Sequence, residues 1–283
     1  PTQVSGKATP SRAWTTGERH WIAEKLGSGM AKDFLANEEI VAGWKKYVRT
    51  VVRRYKGKVD HWEIWNEPYG GFGHWKPAEY MRLVEMTAPL IKEANPEAMV
   101  VAPCTYMLPK WCEPLLEAGV LQHTDVFSFH GYGMGDEALK TIRAWAHNDG
   151  KQRGTFDTEN GGGSMNRFFR RSYRGRQLSG GPPSRPGLGY RRGTANISRS
   201  LLRGRGRGTD VYFHYWSRPY GPYRRYGSFI AFDGVAKPPG ISYAIAGWMI
   251  DGCEPAAALR LGNYVRCYAF RDPKTGRVVA ALW

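Results

Sequence analysis

Between residues 38 and 55 the apolar positions Ile40, Trp44, Tyr47, Val48, Val51, Val52 and Tyr55 recur every three or four residues, the spacing of one buried helix face. Lys56 and Gly57 end that run. Residues 59–65 follow as a short β-rich stretch closed by Asn66-Glu67-Pro68, where Pro68 forbids continuation as a central strand. The alternation repeats downstream: helix 77–94, strand 98–102, helix 109–118, strand 125–130, helix 136–147, strand 154–159. After an Arg-, Gly- and Pro-rich interruption it resumes with helix 194–203, strand 209–216 and a last helix from about residue 240 to 250. Five strand–helix units joined by short connections, with no sign of order reversal, favour a (β/α) barrel over an open doubly wound sheet. From residue 254 the pattern changes to three stretches, 257–261, 264–271 and 277–282, separated by Gly262-Asn263 and by a turn from Asp272 to Gly276. These predict antiparallel strands joined by hairpins.

The expected architecture is therefore α/β, of (β/α)8 TIM-barrel type over residues 1–253, followed by a partial antiparallel β-sandwich over 254–283. A complete barrel of eight units needs roughly 250 residues, and only 58 residues precede the first legible strand. Two or three N-terminal units are thus expected to be absent. The chain opens on Pro1 rather than Met, as expected of one processed, trimmed or cut from something longer. An unclosed sheet would expose an edge, so such a chain is expected to aggregate, to form a homo-oligomer, or to pair residues 1–37 against that edge.

Composition narrows the function classes. With 283 residues, 42% of them hydrophobic, the chain can bury a sizeable core, and it holds no run of about 18 apolar residues to cross a membrane. Residues 1–10 lack the charged-then-apolar pattern of a secretory signal. Cys104, Cys112, Cys253 and Cys267 lack zinc-site spacing, and free thiols are expected, with a Cys253–Cys267 disulfide as the alternative. The net charge of +16 is local: residues 167–207 hold twelve arginines and no acid, leaving 41 − 12 = 29 basic residues against 25 acidic elsewhere. That segment is expected to form a long loop after residue 159, either solvated or gripping an acidic substrate such as a uronate. Its Arg203-Gly-Arg-Gly-Arg-Gly208 also resembles an Arg-Gly tract of RNA-binding proteins, which makes a basic nucleic-acid-binding protein a remote alternative. No nucleic-acid or membrane partner is expected.

Two acids stand where barrel enzymes place their chemistry. Glu67 ends the first legible strand and Glu159 ends the fourth. Hydrolysing a glycosidic bond with retention needs two carboxyl groups about 5 to 5.5 Å apart across the anomeric carbon, one protonated and one ionised. The surrounding residues are more specific. Trp62-Glu-Ile-Trp-Asn-Glu-Pro68, Phe127-Ser-Phe-His-Gly-Tyr132 and Phe156-Asp-Thr-Glu-Asn-Gly161 resemble clan A glycoside hydrolases, with glycoside hydrolase family 39 the nearest match. The resemblance implies that the legible strands are four to eight, that Glu67 is the acid/base and that Glu159 is the nucleophile. It further implies that Asn66 hydrogen-bonds the sugar 2-hydroxyl, that Tyr132 donates to the nucleophile, that His130 lines the cleft and that Trp216 is an aromatic platform under the sugar. No metal or organic cofactor is required, the partner is an oligo- or polysaccharide, and secretion would suit such an enzyme. Both β-xylosidase and endo-β-glucanase activities remain open.

Plainer readings stand beside these. Asn66-Glu67-Pro68 is also a fair strand end and helix start, and His130, Tyr132 and Trp216 could be structural. Phe72, His74 and Trp75 could shape a subsite or cover a core edge, while Asp60, Glu63, Asp125 and Asp157 read as structural or solvated charges. The arginine that the clan places on its second strand would lie in the absent portion, so a catalytically silent carbohydrate-binding relic is the competing function.

Overall fold

The computed structural model describes residues 34–70, 73–160, 186–214, 229, 236 and 238–283. The chain divides into two compact units, one of residues 1–101 and 108–124, the other of residues 102–107 and 125–283. Trp216, Phe72 and residues 1–33 and 161–185 lie outside the described residues.

In the first unit the amphipathic pattern becomes helix α1 (Glu38–Arg54), whose N-terminus is capped by the Asn37 side chain accepting from the Ile40 amide at 3.1 Å. Glu38 and Glu39 in its first turn and Arg53 and Arg54 in its last complement the helix dipole. Strand β1 (His61–Glu63) is shorter than the sequence pattern suggests, because Trp65 and Glu67 take positive φ and leave the pleat. Helix α2 (Pro77–Ala94) starts on a proline and buries Tyr80, Leu83, Val84 and Ile91. Trp44 on α1 donates its indole N–H to Thr87 on α2 at 2.9 Å, and the Tyr80 hydroxyl donates to the Ile64 carbonyl at 2.8 Å. These buried and half-buried links fix the unit more firmly than the exposed Arg49–Glu93 and Arg53–Glu93 pairs, each of which contributes about 0–1 kcal/mol. β1 pairs in parallel with β2 (Met99–Thr105), His61 opposite Met99, and α3 (Pro109–Glu117) completes the unit.

β2 runs from the first unit into the second. There it is followed by β3 (Val126–Phe129), α4 (Asp136–Ala146), β4 (Gly154–Asn160), α5 (Pro186–Gly206), β5 (Val211–His214) and α6 (Pro238–Met249). The strands are hydrogen-bonded in chain order, β1 through β5, and β1 with β2, β3 with β4 and β4 with β5 pair in parallel. Every residue of β3 is buried, as a parallel strand covered on both faces requires.

β6 (Glu254–Leu261), β7 (Val265–Arg271) and β8 (Val278–Leu282) form one antiparallel three-stranded sheet. Ile250, Cys253, Tyr268 and Phe270 make its core, with Leu202 of α5 packed against them, and the sheet belongs to the same compact unit as β3 to β5. Cys253 and Cys267 are free, as are Cys104 and Cys112, so the alternative disulfide does not form.

The arginine-rich segment follows its sequence reading in part. The helix expected over 194–203 is present and begins earlier, as α5 (Pro186–Gly206), so residues 186–193 are helix where a loop was expected. Arg203 and Arg207, four apart and so on one face, both pair with Asp136 at the start of α4, at 3.5 and 2.8 Å, while Arg266 of β7 reaches the same carboxylate at 2.9 Å. Arg205, on the other face, donates to the Thr209 and Asp210 carbonyls at 2.7 Å, and Arg199 lies over the Trp283 ring. Gly206 is required because the Tyr268 ring sits where its Cβ would be, 2.4 Å from Cδ1. The Arg-Gly repeat is thus a helix end whose Arg203, Arg205 and Arg207 bond to groups of the protein itself.

Candidate active site

On the first unit the site residues sit just beyond β1. Trp65 (φ 68°) and Glu67 (φ 41°) flank Asn66 in left-handed backbone, and Pro68 closes the segment. Trp65 is held among the rings of Phe34, Trp44 and Trp75, with centroids 5.4 to 5.8 Å away. The turn is tied by the Gly70 amide donating to the Glu67 carbonyl at 2.9 Å and the Trp75 amide to the Pro68 carbonyl at 2.8 Å. Glu67 is half-buried, and the Tyr69 hydroxyl donates to its Oε1 at 3.4 Å. Asn66 is half-buried beside it. Trp75 is 2% exposed and is core, not a subsite wall, whereas His74 is exposed.

On the second unit Glu159 lies near the C-terminal end of β4, at an irregularity. Asp157 pairs with Tyr212 and Asn160 with His214, so three steps on β4 face two on β5. Such a bulge re-aims side chains. The Tyr132 hydroxyl donates to Glu159 Oε1 in a short hydrogen bond, and His130 Nδ1 stands 3.8 Å from Oε2. Both come from the turn after β3, where the His130 amide donates to the Thr105 carbonyl at 2.7 Å and the Tyr106 hydroxyl to the Tyr132 carbonyl at 3.1 Å. His130 is 1% exposed, with Nε2 lying 3.3 Å from the Cys104 thiol. Both ring nitrogens thus face protein groups, so the imidazole serves as a link between thiol and carboxylate.

Three participants escaped the sequence reading. Asp157, taken there as a structural or solvated charge, is buried, accepting from the Gly131 amide at 2.9 Å and from Asn160 Nδ2 at 2.6 Å. Burial pushes its carboxyl up to about 8, with the Glu159 charge adding and the Asn160 and Gly131 hydrogen bonds opposing. Burial, then the Asp157 charge, raises the Tyr212 phenol and also Tyr243, the latter to about 12. Cys104 and Asn160 complete the set. The available signal was Gly131: a Cβ there would fall 2.2 Å from Asp157 Oδ2, so His-Gly-Tyr marks a carboxylate packed against the turn.

No family model matches the chain, and no curated protein does. Solved structures do. A GH39 β-xylosidase from Caulobacter crescentus superposes with a TM-score of 0.53 at 18% identity, covering 81% of this chain and 53% of that one. A glucosidase from Croceicoccus marinus gives a TM-score of 0.55 at 16% identity, with 81% and 53% covered. A GH39 enzyme from Xanthomonas axonopodis pv. citri gives 0.53 at 16%, with 82% and 51% covered. The chain therefore shares part of the barrel fold of these structures and spans about half of their length. Among the described residues no helix is long and apolar enough to cross a membrane.

Proposed function

We propose that this chain carries the catalytic strand ends of a retaining glycoside hydrolase acting on β-linked glycosides, with Glu159 as nucleophile and Glu67 as acid/base, β1 to β5 corresponding to barrel strands four to eight. The observation that carries the reading is the setting of Glu159, a carboxylate turned out by a bulge at a parallel strand end and gripped by the Tyr132 hydroxyl. Such a group is held in one rotamer for attack on an anomeric carbon, and the hydroxyl balances its charge until the covalent bond forms. Glu67 then protonates the leaving oxygen and, once Glu159 is glycosylated, takes a proton from water. Asn66 is assigned to the sugar 2-hydroxyl, His130 to the cleft wall and Trp216 to the stacking platform. The reaction needs no metal.

The test is turnover of aryl β-xyloside and aryl β-glucoside by the wild type, with Glu67→Gln and Glu159→Gln beside it. General acid/base catalysis is worth about 10²- to 10⁴-fold, and both variants are expected to lose at least that much. Activity indifferent to both substitutions overturns the residue assignment. Retention is read from the anomer first formed, and carboxyl oxygens found beyond about 6.5 Å in a ligand-bound crystal structure would favour inversion. The alternative is a carbohydrate-binding relic without turnover. Xylo-oligosaccharide binding by calorimetry with no hydrolysis would select it.

A further inference from the structure

We propose that Asp157 is a positioning residue for Glu159 that works as a neutral carboxylic acid, accepting from the Gly131 amide and donating its own proton to Asn160. The proposal rests on reading Glu159 as the nucleophile. Its first support is geometric. In a regular strand, residues three apart point to opposite faces, yet the bulge in β4 brings the Asp157 and Asn160 side chains to 2.6 Å. That separation is short for an amide N–H donating to oxygen and ordinary for an O–H donor. A half-turn of the Asn160 amide places its carbonyl oxygen there as acceptor, an exchange that leaves the shape of the site unchanged.

The second support is the company Asp157 keeps. It is 2% exposed. On its own strand it faces the Glu159 carboxylate and the Asn160 amide, and across the turn after β3 the Gly131 N–H, beside His130 and Tyr132, whose side chains are directed at Glu159. From β5 and α6 it meets the phenols of Tyr212 and Tyr243. Arg203 of α5 acts on Tyr212 and is itself paired with Asp136. Among the described residues none of the groups acting on Asp157 is a cation, so a charge there would be desolvated and repelled by Glu159 with two amides as its support. Protonated, Asp157 braces the Gly131 turn, and that turn holds Tyr132 on Glu159. Ionised, it reverses its bond to Asn160 and adds a second negative charge two residues from the nucleophile.

Asn is the closest copy of a protonated Asp, with N–H replacing O–H. Asp157→Ala is expected to lower kcat about 30-fold at pH 6 with KM little changed, and Asp157→Asn to restore most of that loss. The wild type is expected to lose activity around pH 8, a limb absent from Asp157→Asn. A second readout needs no activity. A carboxyl raised in the folded state stabilises most below the ordinary carboxylate pKa, and that stability is lost as pH rises toward about 8. Urea unfolding between pH 4 and 8 should therefore fall more steeply for the wild type than for Asp157→Asn. Infrared spectroscopy of aspartate-labelled wild type should show a buried protonated carboxyl at pH 6, whether or not the variants fold. Absence of that band, equal pH slopes of stability, or an Asp157→Asn enzyme as poor as Asp157→Ala overturns the proposal. If the wild type turns over no glycoside, the glycosidase reading falls, while the infrared and unfolding results still decide the state of Asp157.

Discussion

Glu67 and Trp65 sit in backbone that side chains rarely adopt, at a cost on the order of 1–3 kcal/mol each. The chain holds them there because three rings surround the Trp65 indole and because the 68–75 turn is closed by backbone hydrogen bonds. Strain of that kind persists where surrounding packing over-determines it, and its position directly at the acid assigned by motif is consistent with a functional strand end. Tyr132 offers the sharpest residue-level test. Removing a hydrogen bond to a charged group costs about 1.5–3 kcal/mol, so Tyr132→Phe should lower kcat for aryl β-glycosides about 10- to 100-fold with the folded structure kept, and an unchanged rate would detach Tyr132 from the chemistry. Residue identities around the site were legible because Asn-Glu-Pro, His-Gly-Tyr and Asp-Thr-Glu-Asn are compact motifs. The role of Asp157 was not, since strict alternation puts it and Asn160 on opposite faces and only the bulge unites them.

Among the elements, α5 runs furthest beyond its expected bounds, from 194–203 to Pro186–Gly206. Its arginine- and glycine-rich end is fixed by partners far along the chain: Asp136 for Arg203 and Arg207, and the Tyr268 ring over Gly206. Asp136 joins the start of α4, the end of α5 and β7. Burial alone would raise its carboxyl, but hydrogen bonds from Arg207 and Tyr268 and the charges of Arg207 and Arg266 outweigh that and hold it below the ordinary carboxylate range. With a depressed folded value, its contribution is present above the unfolded pKa and lost as pH falls through the folded one. Asp136→Asn should therefore destabilise the protein near neutral pH and lose its effect at strongly acid pH. Hydrogen exchange at neutral pH is expected to accelerate in β7 of the variant, and unaltered protection there would show that the apolar core of Ile250, Tyr268 and Phe270 suffices to hold the sheet.

At the scale of the molecule, five strands follow one another in chain order, and β5 has no further neighbour among the described residues. Val211 and Phe213 on it are 41% and 52% exposed, which is unusual for a parallel strand. Sedimentation velocity is expected to show concentration-dependent association, reduced by Val211→Lys with Phe213→Lys; a chain that stays monomeric at every concentration contradicts this. The sequence by itself determined the βα rhythm, the change to antiparallel strands near residue 254, the helix boundaries within a few residues except at the start of α5, and the positions of Glu159 near the end of one strand and Glu67 shortly after another. Those properties follow from local periodicity and from turn residues, which act over a few positions. Tertiary structure alone decided the bulge beneath Glu159, the buried Asp157, the thiol behind His130 and the folding of an arginine-rich tract onto one aspartate. Each depends on groups brought together from distant stretches of chain, and no local pattern encodes which charge meets which partner.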